Sequence, residues 1–198
     1  MITPEKKDKL FLRPSVVVLS GVPLSGKTHL AERLVGSSNL QMIDVDTIRN
    51  EIDKTRKKDG QVRLLEPEKE REVMVNSYTE MCKRAEQMVN SGVPILMTGT
   101  FSRIEFKQPL EQLVDNLKKY NIPFKIFLLT VPDEEIVKRI DQRKDSGSLS
   151  NIDSLERYQW AKGFFKKIDF APVIEVDTSK PGSDEEVLKS LKDLEIKP

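Results

Sequence analysis

One short motif near the N-terminus constrains the fold of this chain more than any other feature. It runs from Gly21 to Thr28 and reads Gly-Val-Pro-Leu-Ser-Gly-Lys-Thr. A β-branched run at 16–20 precedes the motif, and a helical pattern at 27–35 follows it. This order of strand, loop and helix is the setting in which the pattern G-x-x-x-x-G-K-[ST] binds phosphate. An ordinary glycine turn would need neither the lysine nor the threonine.

Each part of the motif has a physical task. The glycines let successive backbone N–H groups converge on phosphate oxygens, and the N-terminus of the helix adds its dipole. We expect Lys27 to reach the β- and γ-phosphates and the Thr28 hydroxyl to ligate Mg²⁺. We expect His29, the only histidine, to pack near the nucleotide, because the sequence offers it no orienting partner for acid–base chemistry. The predicted nucleotide-binding residues are Gly21, Val22, Pro23, Leu24, Ser25, Gly26, Lys27, Thr28 and His29.

Further apolar strands alternate with helical patterns after the motif. Strands are predicted at 41–45, 94–97, 124–131 and 173–176, and helices at 46–52, 67–90, 103–120, 154–166, around 136–140 and around 187–194. Near-continuous apolar strands that alternate with helices indicate a parallel sheet covered on both faces. The expected fold is therefore an α/β three-layer sandwich.

Length and composition favour one soluble domain. A chain of 198 residues can bury a single core, and we expect one domain over 1–198, with a core at about 14–195. The net charge of +1 excludes a global field for coating nucleic acid or a membrane surface. Cys82 is the only cysteine, and residues 1–10 are charged without a long apolar run. These features favour a cytoplasmic protein.

Acidic residues follow the second predicted strand. Asp44 and Asp46 lie there with Arg49 close behind, at the edge of a parallel sheet where ligands bind. We expect Asp46 to accept the proton of an acceptor hydroxyl, Asp44 to support the metal, and Arg49 to hold a substrate anion or orient the carboxylate. The structural alternative is that Asp46 is a helix N-cap and Arg49 is solvated.

A pair of arginines, Arg139 and Arg143, shares one face of the helix after the fourth strand, and a Ser/Gly segment at 145–151 follows it. Arginines on a mobile lid, at about 139–167, would stabilise the charge of a transferring phosphoryl group. The alternative is solvated pairing with Glu135 and Asp141. The basic stretch Lys54–Arg63 is expected to be a surface loop on the acceptor side.

Together these residues resemble the P-loop kinases related to phage polynucleotide 5′-hydroxyl kinase and, more distantly, zeta toxins, an AAA-type ATP-binding kinase domain. GVPLSGKT looks like the phosphate loop of that family, Asp46 to Arg49 like its D-x-x-R, and Arg139 to Arg143 like its lid. The similarity covers about Val16 to Thr178. It implies a P-loop NTP hydrolase or nucleotide kinase fold with a five-stranded sheet and a helical lid. It also implies catalytic roles for Lys27, Asp46, Arg139 and Arg143, with ATP or GTP and Mg²⁺ as cofactors.

One position departs from the resembled pattern. Relatives usually carry an acidic residue at the end of the third strand, where this chain has Thr98 and then Gly99. Asp44 is then the candidate to serve the metal together with Thr28. Arg103, just after this strand, is either a contact for the acceptor substrate or a solvated helix start.

Three functional hypotheses follow from these residues. The first is a kinase that phosphorylates a hydroxyl of a nucleic-acid 5′ end, a nucleoside or another small molecule, with no membrane partner and an open oligomeric state. Thr98 favours the second, a nucleotide-binding ATPase or switch protein with weak or no phosphotransfer. The third, a nucleoside monophosphate kinase, would need more acceptor-side arginines than the sequence places there.

Overall fold

Strands and helices alternate along the chain as the sequence predicts. The computed structural model describes residues 9–54, 57–58, 61–62, 66–145 and 152–196. Its strands are β1 (Val16–Gly21), β2 (Gln41–Asp44), β3 (Lys57–Lys58), β4 (Gln61–Val62), β5 (Ile95–Thr98), β6 (Phe124–Thr130) and β7 (Val173–Asp177). Its helices are α1 (Lys27–Ser37), α2 (Val45–Ile52), α3 (Pro67–Asn90), α4 (Ile104–Lys119), α5 (Asp133–Asp145), α6 (Leu155–Gly163) and α7 (Ser183–Ser190), followed by a 3₁₀ turn at Leu191–Leu194.

The main sheet has five strands in the order β2-β5-β1-β6-β7. Every neighbouring pair in it is parallel. The predicted five-stranded parallel sheet is therefore confirmed. The strand that leads into the phosphate-loop motif lies at its centre, with the strand carrying Asp44 at one edge.

Both faces of the sheet are buried, which explains why the central strands are continuously apolar. On one face, Val16 and Val18 of β1 belong to a core that includes residues of α2, α3 and α4. On the other, Val17 and Leu19 pack in a second core with residues of α1 and α7. This arrangement confirms the three-layer α/β sandwich.

The long helix α3 begins and ends where the sequence predicts. Pro67 occupies its first turn, where the missing N–H costs nothing, and Gly92 follows its end at a φ of 90°. Apolar residues spaced three and four apart along it, which is the period of one helix face, include Tyr78, Met81 and Ala85, and these three are completely buried. They fix α3 against the sheet beneath the loop that follows β5.

Two predicted segments fall wholly or largely outside the described residues. These are the Ser/Gly segment, of which 146–151 lie outside, and the basic surface loop. Of that loop the structure describes Lys54 and the backbone of β3 and β4, which pair antiparallel. The boundaries of the domain and of the lid stay predictions. In the described part of the chain, no helix combines the length and apolar character needed to cross a bilayer.

Two cross-strand neighbours allow a test of the sheet packing. Leu96 of β5 is fully buried, whereas its partner in register, Met42 of the edge strand, is 44% exposed. Leu96→Ala should lower the free energy of unfolding by about 2–5 kcal/mol, because it leaves a cavity in the core. Met42→Ala should cost less than about 1 kcal/mol. Urea unfolding of both variants measures the difference, and equal losses would contradict this packing.

Candidate functional site

The phosphate-loop motif forms the connection between β1 and α1. Gly21 ends the strand, Gly26 adopts a left-handed φ of 85°, and Lys27 begins the helix. A Cβ atom at Gly21 would lie 2.6 Å from the Leu129 carbonyl oxygen and 2.7 Å from Ser25 Oγ. Only glycine fits so close an approach. The loop therefore curls over the N-terminus of α1 as the motif predicts.

The Lys27 side chain folds back into this loop. Its Nζ donates hydrogen bonds to the carbonyl oxygens of Gly21 at 2.9 Å and Val22 at 2.8 Å, and to Ser25 Oγ at 3.3 Å. Burial lowers the pKa of Lys27 from 10.5 to about 8, because the ammonium loses its hydration. A bound anion would favour the charged form of Lys27 and so raise its pKa again. The lysine is thus held at the place where a polyphosphate would be most stabilising.

Three other predicted site residues act on the same ammonium. The Asp46 and Asp44 carboxylates raise the pKa of Lys27, and the Arg143 guanidinium lowers it, although burial remains the largest influence. Arg143 also lines the cavity next to Gly26 and His29, and Asp44 ends β2, which is separated from β1 by β5 alone. The fold therefore places these charged groups at the same edge of the sheet as the phosphate loop.

Asp44 is the N-cap of α2. Its Oδ1 accepts hydrogen bonds from the backbone N–H groups of Asp46 at 3.0 Å and Thr47 at 3.1 Å. Its Oδ2 accepts a bond of 2.5 Å from the hydroxyl of Thr98, its partner in register on β5. The alternative that Asp46 is the N-cap is therefore wrong. The two aspartates also do not share one face of a strand, as alternation along an extended strand would predict, because β2 ends at Asp44 and Asp46 lies in the first turn of α2.

The predicted base and its arginine lie in the first turns of α2. The Asp46 side chain is 67% exposed, and its Oδ1 lies 3.7 Å from the Arg49 guanidinium. Arg49 is buried and forms a close ion pair with Glu70 of α3. The alternative of a solvated Arg49 is therefore wrong. Of the two roles expected for Arg49, the geometry favours orientation of the Asp46 carboxylate over direct binding of a substrate anion.

The two lid arginines occupy different environments. Arg139 NH1 donates to the Leu24 carbonyl oxygen at 2.9 Å and to Thr178 Oγ1 at 3.3 Å, and NH2 donates to the Thr178 carbonyl oxygen at 3.1 Å. It also lies 3.6 Å from Glu135. Burial and the neighbouring Arg139 lower the pKa of Arg143. Arg139 is thus tied to the loop backbone, while Arg143 acts on Lys27.

A cavity of about 760 Å³ opens beside the loop. Gly26, His29 and Arg139 line one side of it, and residues 178–184 line the other. An ion pair between Arg33 and Asp184, at 2.8 Å, lies in its wall. Its position next to the phosphate loop makes it the candidate site for a nucleoside. His29, exposed in the first turn of α1, lies where the sequence placed it.

Sequence reasoning missed the segment from Thr178 to Asp184. Thr178 Oγ1 lies 2.9 Å from the Ser25 carbonyl oxygen, so the end of β7 is connected directly to the phosphate loop. The signal was present in the Thr-Ser-Lys-Pro-Gly run at 178–182. A turn-forming run after a strand of a parallel sheet lies at the edge where ligands bind.

Arg103 caps α4 on the other side of the site. Its guanidinium lies 4.6 Å from the ring centroid of Phe164 and 6.0 Å from that of Phe106. Arg103 is therefore packed on aromatic rings and is not a freely solvated helix start. The aromatic side chains at the end of α6, Trp160 and Phe164, lie outside the core, with exposures of 65% and 43%, and their ring centroids are 4.9 Å apart.

The residues expected to hold Mg²⁺ supply oxygen atoms only, which fits a hard cation. Thr28 lies exposed in the first turn of α1, while both oxygens of Asp44 already accept hydrogen bonds. Within the described residues, no group of three or more His, Cys, Asp or Glu side chains could hold a metal ion. The arrangement fits an ion bound mainly by phosphate and water, with one direct protein ligand.

Comparison with known proteins supports a kinase-like fold. A family model described as an AAA domain matches residues 16–165. Comparison with curated proteins gives no match. An unliganded sugar kinase from Janibacter sp. HTCC2649 is 16% identical, with a TM-score of 0.63 over 91% of this chain and 95% of that chain.

Two further kinases have similar structures. A gluconokinase from Sinorhizobium meliloti 1021 is 12% identical, with a TM-score of 0.60 over 90% of this chain and 95% of that chain. An APS kinase from Mycobacterium tuberculosis, in complex with AMPPNP and APS, is 15% identical, with a TM-score of 0.58 over 92% and 98%. At such identities the likeness shows the fold and does not identify the substrate.

The low pKa of Lys27 predicts a pH dependence of nucleotide binding. Above a pKa of about 8, the side chain loses its positive charge and attracts phosphate less. The affinity for ATP with Mg²⁺ should fall about tenfold between pH 7 and pH 9. Fluorescence titration with an ATP analogue measures it, and Lys27→Met should bind weakly without this slope. A wild-type affinity that stays constant over that range would contradict the assigned environment of Lys27.

Proposed function

This chain belongs to the AAA domain family and has the fold of P-loop kinases, and from that premise we propose that it transfers the γ-phosphate of a nucleoside triphosphate to a hydroxyl group. The observation that carries the proposal is the partly buried Lys27 side chain, whose ammonium is held by three loop oxygens and acted on by Asp44 and Asp46. A cation without its hydration shell at a helix N-terminus is suited to bind phosphate. Binding of phosphate needs only the cation, whereas transfer to a hydroxyl also needs a group that accepts its proton, and the neighbouring carboxylates could supply it.

The nucleotide would be bound by the loop and the adjoining cavity. Backbone N–H groups of the loop and Lys27 would bind the β- and γ-phosphates. The base would enter the cavity between His29 and the 178–184 segment. The described lining does not distinguish adenine from guanine, so ATP and GTP both remain open.

Thr28 and Asp44 would serve the metal in different ways. The Thr28 hydroxyl would ligate Mg²⁺, and Asp44 would accept hydrogen bonds from its water shell. Bound Mg²⁺ neutralises phosphate charge during transfer. Thr98 would then not replace the acidic residue of relatives. Its hydroxyl would instead orient Asp44 through the bond of 2.5 Å.

Asp46 would be the general base. Its carboxylate is exposed at the sheet edge and close enough to Lys27 to affect its pKa, so an acceptor hydroxyl there would also face the γ-phosphate. Arg49 would orient Asp46 from beneath, with its own charge balanced by Glu70. A carboxylate that takes the proton as the oxygen attacks contributes about 10²–10⁴-fold to rate.

A nucleotide-dependent switch or slow ATPase is the second candidate. The observation that favours it is the full engagement of Asp44 within the protein, together with the hydroxyl of Thr98 where relatives have an acid. A switch protein would bind nucleotide with Mg²⁺ and pass no phosphate to an acceptor. Transfer of phosphate to an acceptor therefore distinguishes a kinase from a switch protein.

A panel of acceptors tests the proposed function. Purified protein is incubated with γ-labelled ATP, Mg²⁺ and, separately, a 5′-hydroxyl oligonucleotide, nucleosides, gluconate and other sugars, and adenosine phosphosulfate. We expect label on a hydroxyl acceptor. Asp46→Asn should keep ATP affinity and lose about 10²–10⁴-fold in kcat. Glu51→Gln, which removes another carboxylate of α2, is the matched control. Nucleotide binding without transfer to any acceptor would favour the switch.

The two lid arginines should respond differently to substitution. Arg139→Met removes the hydrogen bonds to the Leu24 carbonyl oxygen of the phosphate loop and to Thr178, so the affinity for ATP should fall about tenfold while kcat changes little. Arg143→Met removes a charge near Lys27, so kcat should fall about 10²-fold. Lys138→Met, on an exposed side chain of the same helix, is the control. Equal effects of both arginine variants on affinity and kcat would contradict this division of roles.

A further inference from the structure

The loop between β5 and α4, Gly99 to Arg103, forms a wall of the site. β5 lies between β1 and β2, so this loop leaves the sheet between the phosphate loop and Asp44. Ser20 Oγ, at the end of β1, donates to the Thr100 carbonyl oxygen at 3.0 Å. At its far end, the Ser102 carbonyl oxygen accepts a bond of 3.1 Å from the backbone N–H of Lys166. We call this segment the acceptor-side loop.

One buried hydroxyl holds the backbone of this loop. Tyr78 on α3 is fully buried, and its hydroxyl oxygen accepts hydrogen bonds from the N–H groups of Thr100 at 3.0 Å and Phe101 at 3.2 Å. The same oxygen lies 3.1 Å from Thr100 Oγ1, which donates onward to Ser102 Oγ at 3.4 Å. The Tyr78 O–H must then donate to Thr100, which uses the full bonding capacity of the phenol.

The loop is also pressed against the Tyr78 ring. Phe101 adopts a left-handed φ of 47° although it is not glycine, and its ring centroid lies 4.9 Å from that of Tyr78. A Cβ atom at Gly99 would lie 2.9 Å from Cε1 of Tyr78. A strained residue persists only where its surroundings over-determine it. Here the tyrosine supplies both the hydrogen bonds and the packing.

The acceptor-side loop lies close to the candidate base. Thr98, at the end of β5 just before this loop, donates a hydrogen bond to Asp44 Oδ2, and Asp44 Oδ1 accepts one from the backbone N–H of Asp46, so the loop begins beside the turn of α2 that carries Asp46. The Asp46 carboxylate also raises the pKa of Tyr78, although burial of the phenol is the larger cause. The hydroxyls of Thr100 and Ser102 are therefore arranged near the carboxylate that would receive the acceptor proton. The nucleotide side is held by other contacts, those of Lys27, Arg139 and Thr178.

We propose that Tyr78 is a positioning residue for the acceptor substrate, whose hydroxyl fixes the acceptor-side loop beside Asp46. This inference rests on the proposed kinase function. Tyr78 touches neither substrate, and it acts through the loop backbone. Its loss should therefore weaken acceptor binding and leave nucleotide binding almost unchanged.

Tyr78→Phe tests the proposal because it keeps the ring and leaves two buried N–H groups without an acceptor. The KM for the panel acceptor with the highest wild-type kcat/KM should rise about tenfold, while the KM for ATP stays within about twofold. Hydrogen exchange of the Thr100 and Phe101 amides should become about tenfold faster. Tyr120→Phe, at a tyrosine that is 59% exposed, should change neither quantity.

A second variant disturbs the same loop by crowding. Gly99→Ala should force the loop away from the Tyr78 ring and reproduce the selective rise in acceptor KM. Gly36→Ala, where an added Cβ would meet nothing within 4 Å, is the matched control. If Tyr78→Phe does not fold, the comparison of Gly99→Ala with Gly36→Ala tests the proposal in its place.

The outcomes are distinguishable. A wild-type protein that transfers phosphate to none of the panel would overturn the proposed function and this inference with it. An active wild-type enzyme whose acceptor KM is unchanged in Tyr78→Phe and Gly99→Ala would overturn the inference alone. A parallel rise in the KM for ATP and for the acceptor would also overturn it, because that pattern indicates general damage.

Discussion

The burial of one ammonium group is the constraint on which the rest of the site depends. Lys27 can be buried because the loop curls closely enough for two carbonyl oxygens and a hydroxyl to receive its protons. That curl requires glycine at position 21, where the backbone of β6 leaves no room for a side chain. The loop in turn is fixed by a central strand that is buried on both faces. The hydrogen-bond partners of this cation are all neutral, and the Asp44 and Asp46 carboxylates offset only part of the cost of its burial. A bound phosphate chain would reduce that cost further.

The strand order decides which acidic groups face that cation. Because β5 lies between β1 and β2, Thr98 and Asp44 are partners in register. Thr98 stands where the resembled family carries an acidic residue, and in the fold its hydroxyl donates a hydrogen bond to the carboxylate of Asp44. Asp44 is oriented from two sides, by this hydroxyl and by the first turn of α2. Asp46 remains 67% exposed in that turn, with its carboxylate 3.7 Å from the Arg49 guanidinium.

The lid helices are connected to the loop through a small core of their own. Leu24 of the loop packs with Ile136 and Ile140 of α5 and with Tyr158 of α6. Arg139 adds hydrogen bonds to the same stretch of backbone. Movement of these helices would therefore act on the phosphate loop directly. On the other side, Arg103 contacts Phe164 at the end of α6, and Ser102 bonds the backbone of Lys166 just after it, so the phosphate loop and the loop after β5 both contact the α6 region.

The sequence alone determined the elements, the five strands and the phosphate loop, because these follow from local periodicity and from a motif whose residues are contiguous. It also selected Lys27 together with Asp44, Asp46 and Arg143, whose charges act on the Lys27 ammonium in the folded chain. Only the tertiary structure decided that Asp44 and not Asp46 caps α2, that Arg49 is buried against Glu70, and that Arg139 is tied to Leu24 and Thr178. It alone revealed the cavity wall at 178–184 and the contact of Tyr78 with the acceptor-side loop. The physical reason is that these contacts join residues far apart in the chain, and their proximity depends on the order of strands, which local patterns do not encode.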